Sequence, residues 1–369
     1  MSDHDPVDDA VERLEWDERG QDDTPASRFR SFTRRTALTG GAAGAAALML
    51  EACGGGGTST SSAKASSVFG SQPSFKFTFV NHVTTNPFFV PTKYGAADAC
   101  SLLGCSYQWT GSETSNVNEM VNALNSAVTA KVDGIAVSLV DLHAFNLPVQ
   151  KALDAGIPVV GYNADAASNP RLAYIGQNLF GSGQAMGDHI VSLVKSGPVA
   201  LFIATPGALN IQPRIDGALD TIKKAGGITT DTIATGAAVP HELSTIDAYY
   251  QGHKDVKGMF AVDAGSTQGV AQTIKKNNLK DKVKGGGYDL LPPIQQLLAD
   301  GQIQFTIDQQ PYLQGFFPVL ELYLYQVSKT LSGIANVDTG LKFLDSKTVV
   351  PYNNTKSRFE GSSSAPGVK

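Results

Sequence analysis

The stretch "FKFTFVNHVTTNPFFVPTKYG", residues 75–95, decides how the chain is read. It opens on an apolar run rich in aromatics, the composition of a strand. Asn86-Pro87 interrupts that run, and a helix-like pattern follows over residues 88–103. Phe88 and Phe89 stand where the strand hands over to the helix, a place that usually faces a crevice. They either fill core or form a flat apolar surface for a ligand.

The same alternation continues. "CSYQWT" precedes an amphipathic segment at 117–130, "DGIAVSLV" precedes another at 144–155, "GIPVVGYN" is the fourth apolar run and "RLAYIG" a short connecting strand. It then restarts, with "PVALFIAT", "GITTDTIA", "VKGMFAVD", "DKVKGGGYD" and "GQIQFTI" as strands and helices between them at 213–225, 243–251, 265–277 and 291–299. A last helix near 314–331 precedes "LKFLDSKTVVPYN". Strands alternating with helices predict βαβ units and parallel sheets. The fold class is therefore α/β, with two similar lobes, each a doubly wound sheet with flanking helices.

Ligands of doubly wound sheets bind beyond the carboxyl ends of the strands, where helix N-termini converge. The polar residues at those ends are His82, Asn86, Ser138, Asp141, Tyr162, Asn163, Asp165, Asp263, Tyr288 and Asp289. Neutral hydrogen-bonding groups and aromatics dominate, with few cations, which suits a neutral polyhydroxylated ligand in a cleft between the lobes.

Residues 1–53 read as an export segment. Thr33-Arg34-Arg35 precedes a run of small apolar residues at 37–50. That run is shorter than the about 20 apolar residues a membrane span needs. The arginine pair resembles a twin-arginine signal, and Leu50-Glu51-Ala52-Cys53 resembles a lipobox whose Cys53 becomes lipidated, with Glu51 atypical. The Gly/Ser-rich residues 54–74 follow as a tether. Residues 1–52 hold 11 acidic and 6 basic side chains; removing them from the totals of 34 and 29 leaves 23 of each sign. A formally neutral mature chain has no basic field for nucleic acid. Beyond the lipid, Cys100 and Cys105 flank "SLLG", with Gly104 as the left-handed residue ending a helix. They form either a short-loop disulfide or two buried thiols.

Catalytic motifs fail on spacing. "GSGQAMG" at 181–187 is one residue too long for a dinucleotide fingerprint, and no acid ends the next strand. "HELST" has Thr245 where a second zinc-binding histidine belongs. Asp263 and Asp289 would serve a glycosidase if they flanked a scissile bond, but carboxylates also bind sugar hydroxyls.

Taken in order, "NPFF", "DGIAVS", "AGIPVVGYNAD", "PRIDGA", "FAVD", "GGYD" and "TIDQQP" make residues 75–350 resemble the ribose/galactose-type solute-binding proteins of ABC importers. The resemblance implies a two-lobed periplasmic-binding-protein fold. Its N-terminal lobe would comprise 75–176 and 310–337, its C-terminal lobe 177–309 and 338–352, with a tail at 353–369. The implied ligand residues are Asn86, Phe88, Phe89, Arg214, Asp263, Tyr288, Asp289 and the hinge residue Gln309, with His82 and Ser138 replacing other polar groups. The family's Asp-Arg pair falls on Asn163-Ala164, so both charges are missing. Together with His82, Trp109 and Tyr162, this loss points to a pocket unlike one for ribose, with a linear polyol as one alternative. The expected function is binding of a neutral monosaccharide or sugar alcohol by hinge closure. A monomer would deliver it to a permease and its ATPase, tethered to the membrane by lipid, with no cofactor, metal or catalysis. A sugar-sensing subunit is the alternative role.

Overall fold

The computed structural model describes residues 69–365; the export signal, Cys53 and most of the tether lie outside the described residues. The first sheet contains β1 (Lys76–Asn81), β2 (Ser106–Gly111), β3 (Gly134–Val137), β4 (Val159–Tyr162), β5 (Ala173–Gly176) and β11 (Val337–Asp338), in the order β11-β5-β4-β3-β1-β2, all parallel. The second contains β6 (Gly197–Ile203), β7 (Ile228–Ala234), β8 (Gly258–Ala261), β9 (Lys284–Tyr288), β10 (Phe305–Asp308) and β12 (Lys342–Leu344), in the order β12-β10-β9-β8-β6-β7. Only β12 runs antiparallel there. Its central strands are buried along their whole length, as parallel strands covered on both faces must be.

Helices α1 (Val90–Leu103), α2 (Val117–Thr129) and α3 (Asn146–Asp154) connect the first set of strands. α4 (Leu179–Val194), α5 (Gln212–Ala225), α6 (Val239–Gly252), α7 (Ala264–Lys276) and α8 (Pro292–Ala299) serve the second. The chain returns to the first sheet through α9 (Leu313–Ser328), then crosses to β12 and α10 (Val350–Thr355). Observed boundaries differ from the sequence expectation by a few residues. The largest change is at α6, which begins at Val239 because Pro240 fits a first turn, where its missing N–H costs nothing. "RLAYIG" is a full member of the first sheet, between β4 and β11.

In each sheet the strand order reverses once, between β1 and β3 and between β6 and β8. These switch points place the crevices of the two sheets. Beneath the first, Phe79 is fully buried. It stacks on Trp109 at 5.7 Å and meets Tyr162 edge-on at 5.4 Å. Tyr162 is therefore core and Trp109 packs half-buried against that core, neither of them pocket wall, which corrects their reading as pocket determinants. Tyr162 spends its hydroxyl as an acceptor for Asn81 Nδ2 at 2.8 Å.

The glycines of "GSGQAMG" have a packing reason. Asn178 caps α4 by accepting from Gly181 N at 2.9 Å, and the glycines that follow let α4 and α5 pack backbone to backbone. A Cβ on Gly183 would lie 2.3 Å from Arg214 O, and one on Gly217 2.2 Å from Phe180 O. Cys100 and Cys105 are free thiols. The backbone motif foreseen around Gly104 is present, with Cys105 N donating to Cys100 O at 3.0 Å, and it brings the thiols into hydrogen-bond contact without a bond between them.

Residues beyond α10 pack back on the first lobe: Arg358 pairs with Asp98 at 3.2 Å, and Phe359 meets Tyr312 edge-on at 4.7 Å. The close helix contact gives a direct prediction. Gly183→Ala must push α4 from α5 and is expected to cost about 1–3 kcal/mol, lowering the thermal midpoint. Gly252→Ala, with nothing near the added methyl, is expected to be neutral or slightly stabilising in the same unfolding experiment.

Candidate functional site

At the end of β1 the backbone turns sharply, and side chains hold the turn. Asn81 Oδ1 accepts from Val83 N at 2.8 Å. Asn86 Oδ1 accepts from Phe88 N at 2.9 Å, capping a 3-10 turn over Pro87–Phe89. That cap settles both phenylalanines in the wall of a cavity. Phe88 and Phe89 meet edge-on at 4.7 Å, and Phe89 meets the His82 ring at 5.2 Å. Both are buried, so each ring is core on one side and cavity wall on the other.

His82 Nδ1 lies 3.0 Å from Ser138 Oγ, and Nε2 lies 3.1 Å from Asn210 Nδ2. An amide nitrogen only donates, so Nε2 accepts, and the proton sits on Nδ1 and goes to Ser138. Burial pushes the imidazole down to about 4, in keeping with this neutral tautomer. Asn210 belongs to the second lobe, so this hydrogen bond crosses the cleft. Leu209 N crosses it too, donating to Val140 O at 3.0 Å. The lobes are closed on each other.

The second lobe supplies the charges. Arg214, on the first turn of α5, is 2% exposed; it donates to Val262 O at 2.9 Å and lies 4.1 Å over the Tyr288 ring. Asp263 caps α7, with Oδ1 accepting from Ser266 N and Oδ2 from Ala204 N, both at 2.9 Å. Asp289, in a left-handed conformation at φ 77°, accepts from Gln309 Nε2 at 2.8 Å. Burial pushes Asp289 up to about 7 against the pull of Arg214. Glu242, on the first turn of α6, is pushed up to about 9 by burial and by the Asp263 carboxylate.

The hinge is a network of amides. Gln309 O accepts from Gln314 Nε2 at 3.0 Å and from Thr339 Oγ1 at 2.8 Å; Gln314 Oε1 accepts from Asn163 Nδ2 at 3.1 Å. Gln177 Nε2 donates to Gly340 O at 2.9 Å. Each chain crossing is thereby tied to another.

One cavity of about 60 Å³ gathers these groups: His82, Asn86, Phe88, Phe89, Asn163, Arg214, Asp263, Asp289 and Gln309 all line it. Two of the implied ligand residues do not. Ser138 stands behind His82, and Tyr288 lies beneath Arg214 with its hydroxyl on Ser182 Oγ at 3.0 Å. Asp165 is turned away in an ion pair with Arg171. Glu242 and Asn210 also line the cavity and were not foreseen. Glu242 lies inside "HELST", where the one signal available was an acid beginning a helix. Asn210 sits on a loop whose composition says nothing. A larger cavity of about 340 Å³ shares Phe88 but is lined largely by apolar side chains such as Pro91, Leu291 and Pro311, with Asp308, Lys342 and Glu360 as its charged groups, and none of the residues with an unpartnered buried atom lines it. The smaller cavity is therefore the candidate site.

Its unmet hydrogen bonding defines the chemistry. Among the described residues, eight buried side-chain atoms have no hydrogen-bond partner in the protein, and four of them belong to residues lining this cavity. They are Asn163 Oδ1, Asn210 Oδ1, Glu242 Oε2 and Arg214 Nε. Buried polar groups are rarely left unpaired. A ligand able both to donate and to accept satisfies this set, as hydroxyl groups do.

Comparison with known proteins agrees with that geometry. The pattern of the periplasmic binding protein domain matches residues 77–329. The xylose/arabinose-binding protein XylF of Sulfolobus acidocaldarius is 53% identical over 309 residues, spanning 79% of this chain and 76% of that protein. An ABC transporter solute-binding protein from Burkholderia graminis, solved with D-arabinose, superposes with a TM-score of 0.71 at 26% identity over 75% of this chain and 97% of the other. A carbohydrate transporter solute-binding protein from Agrobacterium radiobacter, also with D-arabinose, gives 0.70 at 26% identity over 77% and 98%. Two doubly wound sheets closed over one polar cleft, and matches that run through both of them, place the chain in the periplasmic binding protein family, among the sugar-binding proteins of ABC transporters.

Proposed function

We propose that the protein captures a neutral pentose of the xylose or arabinose type between its lobes and presents the closed form to the permease of an ABC importer. The observation that carries this reading is the set of four unpartnered polar atoms on residues that line one cavity together with Phe88 and Phe89. Hydroxyls answer the polar atoms, and the apolar C–H face of a sugar ring packs on the aromatics. The names of the relatives favour a pentose, and the absence of an Asp-Arg pair at Asn163-Ala164 argues against a pocket built like that for ribose. Asp263 and Asp289 are engaged with N–H donors, as ligand-binding carboxylates are, so binding without turnover is the expected chemistry. Export through the Arg34-Arg35 signal, a lipid on Cys53 as the membrane anchor and action as a monomer complete the proposal.

Closure is a hinge motion favoured by a ligand that touches both lobes. Thermal unfolding with xylose, arabinose, ribose and xylitol tests the ligand. One present at about 1,000 times its dissociation constant adds roughly 4 kcal/mol, and the compound should be recovered unchanged. No shift from any of the four would refute the pentose reading.

Arg214→Ala removes a charged donor and is expected to weaken sugar binding by about 2 kcal/mol, roughly thirtyfold, measured by titration calorimetry.

His82 gives a pH prediction. Its folded value, about 4, lies below the ordinary 6.5, so the unfolded chain binds the extra proton first. The contribution of neutral His82 is present above 6.5 and lost as pH falls toward 4. The thermal midpoint of the wild type relative to His82→Gln is expected to drop over that interval; parallel curves would exclude this role.

A further inference from the structure

Glu242 has a place cut for it. A Cβ on Gly265 would come within 1.5 Å of Glu242 Oε2, so the carboxyl rests directly on the first turn of α7, where only glycine leaves room. The residue is 2% exposed and lines the cavity, and its Oε2 has no hydrogen-bond partner in the protein.

Asp263 stands in side-chain hydrogen-bond contact with it, and the two acids are not equivalent. Each oxygen of Asp263 already accepts a backbone N–H at 2.9 Å, the arrangement of an ionised carboxylate. Glu242 receives no such donor. Two carboxyl groups in contact inside a protein do not both ionise. The proton therefore resides on Glu242 and is donated to Asp263, and burial with the Asp263 charge holds Glu242 up to about 9.

No other group nearby reverses this assignment. Arg214 gives one nitrogen to Val262 O and lies over the Tyr288 ring, which leaves Nε as its unpartnered donor. Asp289 takes its donor from Gln309, and His82 across the cleft is neutral. His241, on the same helix, turns Nδ1 to Thr235 O.

We propose that Glu242 serves the site as an un-ionised acid, giving its proton to Asp263 and offering its remaining oxygen to a ligand hydroxyl, so that the cleft accepts neutral sugars and rejects the corresponding sugar acids. An anionic ligand would bring its lone pairs against that oxygen with the Asp263 charge directly behind, and the free Nε of Arg214 supplies a single donor against the three carboxyl groups that line the cavity. The selectivity rests on the sugar-binding reading of the cleft; the position of the proton rests on the protein alone.

Glu242→Gln keeps the shape of the acid, with an amide that donates to Asp263 and a carbonyl that accepts. Calorimetry at pH 7 with arabinose and with arabinonate is expected to show roughly threefold weaker arabinose binding for Glu242→Gln, and a loss of a hundredfold or so for Glu242→Ala. Arabinonate should not bind the wild type. As pH rises through about 9, wild-type affinity should fall while that of Glu242→Gln stays level.

The ligand-free protein gives an independent reading. A folded value raised from 4.5 to about 9 means that the stability contributed by the proton is full below 4.5 and is lost as pH rises toward 9. The wild-type thermal midpoint should accordingly fall relative to that of Glu242→Gln across this range. Parallel midpoints would place the proton elsewhere and overturn the proposal even if no sugar bound any variant. Equal loss in the Gln and Ala variants, the same alkaline fall in Glu242→Gln, or tight arabinonate binding by the wild type would overturn it as well. Failure of arabinose alone, with the midpoints diverging as expected, would count against the pentose and not against the protonated acid.

Discussion

Arg214 is 2% exposed, so its guanidinium must find partners inside the fold, and much of the second lobe is arranged around it. The Val262 carbonyl takes one nitrogen, the Tyr288 ring lies 4.1 Å beneath, and the charge holds Asp289 below where burial alone would put it. Reaching that position requires α4 and α5 to touch through Gly183 and Gly217. The glycines of "GSGQAMG" thus act at a distance from any ligand. They set the depth at which α5 delivers its arginine.

Closure follows a different logic. Across the mouth of the cleft the lobes share few contacts, chiefly His82 with Asn210 and Leu209 with Val140. At the hinge they share a dense amide network running through Gln177, Gln309, Gln314 and Thr339. Neutral amides both donate and accept, so such a network keeps its register without carrying charge through the low-dielectric interior. One end of the molecule is weakly joined and the other firmly tied, the condition for a hinge. Gln309 belongs to both functions, since its side chain also holds Asp289 in the site.

The electrostatics of the cavity favour neutrality through pairing rather than through absence of charge. Arg214 stands near Asp289, Asp263 is held by two backbone N–H groups, and Glu242 keeps its proton beside it. His82 is neutral because burial penalises its charged form. A polyhydroxylated ligand meets polar groups already oriented by the protein, so the cost of ordering them is met in folding.

The alternation of apolar runs with amphipathic segments determined the two βα halves, because buried parallel strands and one-sided helices impose different periods on a chain. Strand ends then singled out His82, Asn86, Asn163, Asp263 and Asp289, since parallel sheets expose functional groups only there. Residues whose role depends on what approaches from elsewhere were not legible. Tyr288 ends a strand yet points beneath Arg214, Trp109 and Tyr162 are spent on the packing of Phe79, and Glu242 lies in a motif that begins like a zinc-binding helix. Asn210 acquires its meaning only from His82, 128 residues away. Local sequence fixes which side chains stand at the end of a strand or the start of a helix. Which of them face one another, share a proton or go without a partner depends on long-range packing, which only the tertiary structure decides.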